Sequence, residues 1–370
     1  MNILIAPDSF KGSLTALEIC NLFLSEIKGL NIDAVALADG GEGSLQAIKE
    51  VVDFRKITLR VSDPLFNNIE SYYLLEESKQ TAYIELALAS GLTLLDEPDV
   101  MNSSTYGTGQ LIADALQKGV KNIILFAGGS ATNDAGTGIA AALGIRFYDR
   151  QGELVRPVAK NLTRILKIDR SRSLIEKYGA KLSVAVDVEN PFYGKTGAAF
   201  TYAAQKGASN SQILFLDTAL KHIAGIFYWK YQIDVQQIKG SGAAGGLAGG
   251  LAAMLNADIV PASDLIFKLT RLEEKIQKAD IIVSGEGKID KQTLNGKLLA
   301  KVSALVQKHN KKLWAICGYF DGNNELKQKL NIDKVFALAK AKEEIPEALS
   351  AAKEKMKNTI NEIIIEFMKL

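Results

Sequence analysis

Acidic residues recur in this chain at one kind of place, at or just after the end of a short apolar run, several of them close to glycine. Asp8 follows NILIAP, Asp39 and Glu42 lie in DGGEG, Asp134 in GGSATND, Asp187 follows KLSVAV, and Glu286 with Asp290 lies in SGEGKID. Lysines stand near the same points, at Lys11, Lys206, Lys288 and Lys297. Carboxylates suit Mg²⁺ or a substrate hydroxyl, whereas ammonium groups and unpaired backbone N–H groups suit phosphate and carboxylate oxygens. Phosphoryl transfer asks for that mixture: donors and cations on the phosphates, carboxylates for the metal, and one carboxylate to orient or deprotonate the acceptor hydroxyl.

The richest stretch is NIILFAGGSATNDAGTGIAAALG, from Asn122 to Gly144. It reads as a buried strand from Asn122 to Ala127, a Gly-Gly-Ser turn and an Ala-rich helix, so that N–H groups and the helix dipole converge where phosphate would sit. Gly128 and Gly129 let a ligand approach the backbone, and Ser130, Thr132, Asn133 and Asp134 add hydroxyl, amide and carboxylate groups. The plainer alternative is a structural turn with Asn133 or Asp134 capping the helix.

Further strands are expected at Asn2–Pro7, up to Ala38, and at Lys181–Val186, Asp280–Ser284, Leu313–Cys317 and Lys334–Leu338. A helix is expected from about Ser13 to Lys28, with Thr15 and Glu18 as its capping box and Gly29 as its stop. Between Lys56 and Ala87 the apolar period changes to two, which predicts an antiparallel meander and a departure from the parallel βαβ pattern. In open α/β sheets ligands bind beyond the carboxyl ends of the strands, which is where the acids recur.

Two familiar motifs fail on inspection. Gly194-Lys195-Thr196 resembles the end of a P-loop, but Glu189 occupies the position of its first glycine. Gly240, Gly242 and Gly245 match GxGxxG, with Asp264 beyond, and an NAD(P)-dependent oxidoreductase is the reading they would carry. The polar segment Asp234–Lys239 before them makes a poor central strand, so a loop and a helix start are expected instead.

A chain of 370 residues predicts two domains. With 44 basic and 42 acidic residues, it offers no field for nucleic acid or an anionic membrane. Cys20 and Cys317 lie in apolar surroundings and His222 and His309 in ordinary helical ones, so neither a disulfide framework nor a histidine metal site is expected. A cytoplasmic protein without a membrane span is the expectation, as monomer or homodimer.

Eight blocks taken together resemble the bacterial glycerate kinases: APDSFKGSLTA from Ala6, ADGGEGS from Ala38, YGTG from Tyr106, GGSATND from Gly128, DVENP from Asp187, QKGA from Gln205, GAAGGL from Gly242 and SGEGKIDKQTLNGK from Ser284. They occur in the family's order along the whole chain. Family members often have glycine where this chain has Ala135, and threonine where it has Ser284.

The resemblance implies ATP- and Mg²⁺-dependent phosphorylation of D-glycerate at its 2-hydroxyl. It implies a flavodoxin-like α/β domain from residues 1–60 and 270–370 and an inserted mixed α/β domain from 61–269, with the active site in the cleft between them. From the chemistry of the side chains rather than from the family, Lys11 or Lys206 is expected to hold the glycerate carboxylate and Asp187 to orient the hydroxyl, with Asp39 as its rival. Asp8, Ser9, Asp39, Gly40, Gly41, Glu42 and Asn190 are expected to line the substrate. Gly128, Gly129, Ser130, Asn133, Gly285, Gly287 and Lys297 are expected on the nucleotide phosphates, and Asp134, Glu286 and Asp290 at Mg²⁺. A small hydroxy-acid binding protein that performs no chemistry is the remaining alternative.

Overall fold

The NILIAP run is buried from Ile3 onward because it forms a central strand, Asn2–Pro7, of a five-stranded sheet that is parallel throughout. Strands with both faces covered are apolar at successive positions, as this one is. The computed structural model describes residues 1–27, 29–49, 53–294 and 298–369. Their contacts divide the chain into two units: residues 1–39, 46–51 and 263–370, and residues 40–45 and 52–262.

In the first unit the strand order is Lys334–Ala339, Lys312–Phe320, Ile281–Ile289, Asn2–Pro7, Asn31–Ala34. Numbered within the unit this is 5-4-3-1-2, the flavodoxin-like order, and the order reverses between Asn2–Pro7 and Ile281–Ile289. Those two strands pair in register from Ile3↔Ile281 to Pro7↔Gly285. The helix Ala16–Glu26 begins at Thr15, whose hydroxyl accepts from the Glu18 N–H while the Glu18 carboxylate accepts from the Thr15 N–H. With the closing helix Ala352–Phe367 it covers a core of Ile3, Ile5, Phe23, Trp314, Met356 and Ile360.

The second unit carries a six-stranded mixed sheet in the order Asp258–Pro261, Lys181–Val186, Asn122–Phe126, Thr81–Glu85, Asn68–Glu76, Arg55–Ser62. The first four strands are parallel and the last two antiparallel, so the period-two segment forms the expected meander. Helices Tyr106–Gln117 and Asn210–Tyr231 bury Leu111, Ile112, Leu216, Leu220 and Ile223 in its core. Among the described residues no helix is long and apolar enough to cross a membrane.

Candidate functional site

In the first unit, Asp8 directly follows the Asn2–Pro7 strand and Glu286 lies within the Ile281–Ile289 strand, one residue beyond the Pro7↔Gly285 pair, in the two strands that flank the order reversal. The Asp8 N–H donates to Gly285 O at 2.8 Å, and its carboxylate accepts from the Ser9 N–H at 2.7 Å. Asp8 is buried, and desolvation, reinforced by the charges of Asp39 and then Glu286, pushes its carboxyl up to about 7 against the pull of the Ser9 N–H and Lys11. Lys11 is exposed and pairs with Asp39 at 3.6 Å, which holds its ammonium above its usual range. The Thr293 hydroxyl donates to Glu286 at 2.6 Å.

Asp290 pairs with Lys288 at 3.1 Å, and Lys288 also reaches Asp321 at 2.9 Å. Gly285 has a packing reason to be glycine, since a Cβ there would lie 1.6 Å from Ile316 O. Gly287 lies against the Phe10–Lys11 backbone, with a Cβ position 3.4 Å from Lys11 N. Lys297 lies outside the described residues.

In the second unit, two motifs far apart in sequence meet. The Gly128 N–H donates to Gly40 O at 2.9 Å, and a Cβ on Gly128 would lie 2.4 Å from Gly41 Cα. A Cβ on Gly129, where φ is +73°, would lie 3.2 Å from the Glu42 side chain. The glycines let the two backbones touch. The Gly128 N–H is therefore spent inside the protein, and the helix expected directly after the turn begins only at Thr137.

Between them, Ser130–Gly136 is held by side chains from elsewhere. Lys206 is 2% exposed, and its Nζ donates to Ser130 Oγ at 2.7 Å and Thr132 O at 2.6 Å. Burial pushes its ammonium down to about 7, opposed by the charge of Asp134. Asp134 is fully buried and accepts from the Thr105 N–H and hydroxyl, at 2.9 and 2.8 Å, and from the Gly136 and Gly138 N–H groups, both at 3.1 Å. Desolvation still raises its pKa over those four bonds. Enclosed in this way, Asp134 ties loop to helix, and its oxygens are committed to protein donors. Asn133 is fully buried, yet both its amide atoms, like Thr132 Oγ1 and Ser241 Oγ, have no hydrogen-bond partner among the described residues.

Asp187 is half-buried, one residue beyond the Lys181–Val186 strand. Asn190 braces the same loop: it donates to Thr196 O at 2.8 Å, accepts from the Tyr202 hydroxyl at 2.6 Å, and its carbonyl accepts from the Gly242 N–H at 3.0 Å. Its side chain thus serves the fold. The GxGxxG segment has the same use. No strand precedes it, only a short 3₁₀ turn at Val235–Gln237, and Cβ atoms on Gly242 and Gly245 would strike Pro191 O at 2.1 Å and Thr132 O at 2.2 Å. Its glycines let a helix start pack against the two strand-end loops, which removes the dinucleotide reading.

Sequence reasoning missed Thr105, the chief donor to Asp134, and Glu85, the last residue of the Thr81–Glu85 strand. Glu85 is 3% exposed and accepts from the Gly43 and Leu45 N–H groups, each at 3.0 Å. Burial pushes its carboxyl up to about 7; the N–H groups of Leu45 and Gly43 oppose the shift and the charge of Glu42 adds to it. A carboxylate closing an otherwise apolar strand was the available signal.

In class, this is an α/β protein whose acids, glycines and lysines gather where parallel strands end, the usual ligand-binding edge of such sheets. The chain belongs to the glycerate kinase family, whose model matches residues 3–368. It is 40% identical to a glycerate kinase of Halalkalibacterium halodurans over 342 residues, 91% of this chain and 90% of that one. It is 34% identical to the glycerate 2-kinase of Escherichia coli over 358 residues, covering 95% and 94% of the two chains. A crystal structure assigned as glycerate kinase 2 from Salmonella typhimurium LT2 matches 100% of this chain and 98% of its own, with TM-score 0.82 and 34% identity.

Proposed function

We propose that this protein is a glycerate 2-kinase that transfers the γ-phosphoryl group of ATP to the 2-hydroxyl of D-glycerate, in the cytoplasm. The observation that carries the reading is the family match from residue 3 to residue 368, which leaves neither unit outside it. In the reaction the bond from the γ-phosphorus to the oxygen shared with ADP breaks, and a bond to the glycerate 2-oxygen forms. Asp187 orients that hydroxyl and takes its proton. Lys206 holds the glycerate carboxylate, its third N–H left over after Ser130 and Thr132. Gly129, Ser130 and Asn133 serve the phosphates.

Mg²⁺ is the expected metal. Among the described residues no three acids group closely enough to hold a cation by themselves, which suits an ion that arrives on nucleotide phosphates and takes one or two protein carboxylates. Glu286 and Asp290 are the carboxylates offered to it, and when bound the ion neutralises charge on the phosphates. The ion pair of Asp39 with Lys11, at 3.6 Å, is assigned to the glycerate in this reading.

³¹P NMR of the purified protein with ATP, Mg²⁺ and D-glycerate tests the proposal. A 2-phosphoglycerate resonance that is absent with L-glycerate is the expected result. A 3-phosphoglycerate resonance overturns the regiochemistry, and intact ATP at high enzyme concentration overturns the kinase.

A further inference from the structure

The segment Gly40–Leu45, a turn that runs into the start of the helix Ser44–Lys49, carries Gly40, Gly41 and Glu42, which are expected to line the substrate, and it belongs to neither sheet. Its backbone turns through two left-handed glycines, Gly40 at φ +88° and Gly43 at φ +87°, and such a segment keeps one shape only if other groups impose it. Gly40 O accepts from the Gly128 N–H, and the Ser44 hydroxyl donates to Gly41 O at 2.6 Å. Two further ties run to Glu85. One carboxylate oxygen takes the Gly43 N–H and the other the Leu45 N–H.

We infer that Glu85 is the positioning residue of this loop: its two-pronged hold on Gly43 and Leu45 fixes where Gly41 and Glu42 sit against the Gly128–Gly129 turn, and so sets glycerate binding. The inference rests on the glycerate kinase reading. Three features support it. The carboxylate is buried at the end of a strand whose register with Asn122–Phe126 is fixed up to Glu85↔Phe126, two residues before Gly128, so it is a rigid mount. Its geometry matches two parallel donors, which one carboxylate satisfies and one amide cannot. And the backbone it holds is the one that would collide with any side chain on Gly128, so a displacement of Gly41 is felt directly at the turn. Glu85 touches no reacting atom in this scheme and acts through the loop.

Glu85→Gln is the discriminating variant. It preserves shape and burial but sets an NH₂ group against one of the two N–H donors. The expected result is a thermal midpoint lowered by about 5 °C or less. The KM for D-glycerate should rise about tenfold or more, and the KM for ATP should rise by a smaller factor, because the held residues Gly41 and Glu42 are the ones expected on the substrate while the adjoining Gly128–Gly129 turn is the part expected on the phosphates. In hydrogen exchange, amides in residues 40–45 lose protection while the Asn122–Phe126 and Lys181–Val186 strands keep theirs. Glu85→Asp, which keeps both acceptors on a shorter arm, should fall between Gln and wild type, and it carries the test if the Gln variant does not fold.

An unchanged glycerate KM with unchanged exchange in 40–45 overturns the inference. So does a proportional loss in both KM values accompanied by loss of protection throughout the unit, because that is general destabilisation. If wild-type protein fails to phosphorylate glycerate, the kinase reading falls alone. The exchange experiment then still decides whether Glu85 holds the loop.

Discussion

Lys206→Met tests whether the buried lysine is there for stability or for chemistry. An ammonium whose pKa falls from its usual 10.5 to about 7 costs the folded state on the order of 5 kcal/mol when charged, at about 1.4 kcal/mol per pH unit. The sign follows from the depression: the stability penalty is absent above 10.5, grows as pH falls, and is complete below about 7. Methionine removes that penalty and fills similar volume, but it leaves Ser130 Oγ and Thr132 O without their donor, at about 1–3 kcal/mol each.

The two effects nearly cancel at pH 7, so the thermal midpoint should stay within about 5 °C of wild type. Activity should not survive in the same way. Removing the cation proposed to hold the substrate carboxylate should cost about 10²–10³-fold in kcat/KM. In wild type, kcat/KM for glycerate should fall about tenfold per pH unit above 7 as the ammonium is lost, while kcat stays flatter because bound carboxylate holds the proton on. A coupled ADP-release assay from pH 6 to 9 with thermal melts of both proteins measures all of this. A Met variant that melts more than about 10 °C lower with near-normal residual kcat/KM would show that Lys206 is only structural.

Asp187→Asn should leave folding intact and lower kcat by about 10²–10⁴-fold with little change in glycerate KM; a kcat near wild type removes Asp187 as the base. Asp8→Asn should flatten the pH dependence of stability. The raised carboxyl contributes stability that is full below its usual 3.8 and lost as pH rises through about 7, a difference of roughly 4 kcal/mol seen in melts from pH 4 to 8, and parallel wild-type and variant curves would contradict it. Ala135 sits at φ +55°, so Ala135→Gly trades about 1–2 kcal/mol of left-handed strain against glycine's entropy and should be neutral or mildly stabilising in urea. Gly128→Ala, with its Cβ 2.4 Å from Gly41 Cα, should lose about 2 kcal/mol or more and most activity. A well-folded, active Gly128→Ala protein would mean the two loops are not held together.

What could be read from residues alone followed from how local each cause is. The strands Asn2–Pro7 and Lys181–Val186 are apolar runs closed by polar residues, and they fold where such runs predict. The Thr15–Glu18 box is a four-residue device and formed as spaced. The Gly-Gly-Ser turn was visible, but not that helix formation would wait until Thr137, because the bonds that hold Ser130–Gly136 open come from Lys206 and Thr105. Glu85 was invisible for the same reason, since its partners lie 42 and 40 residues away. GxGxxG could be set aside from the sequence because no apolar strand precedes it, but not the reason for its glycines, since the groups that approach them, Pro191 O and Thr132 O, come from distant loops.

The costs in the second unit are unevenly spread. A depressed lysine, a fully buried asparagine with neither amide atom paired among the described residues, and an alanine in the left-handed region all fall on or against one loop, Ser130–Gly136. Each opposes folding by about 1–5 kcal/mol, and a loop chosen for stability alone would have replaced them with apolar residues or glycine. Around it the protein spends its best contacts: four donors on Asp134, the Gly245 carbonyl accepting from the Ala135 N–H, and a helix start stripped of side chains to come close. Strong support beneath locally unfavourable groups is the arrangement expected of a ligand-binding loop, whose polar atoms gain their partners only when the ligand arrives.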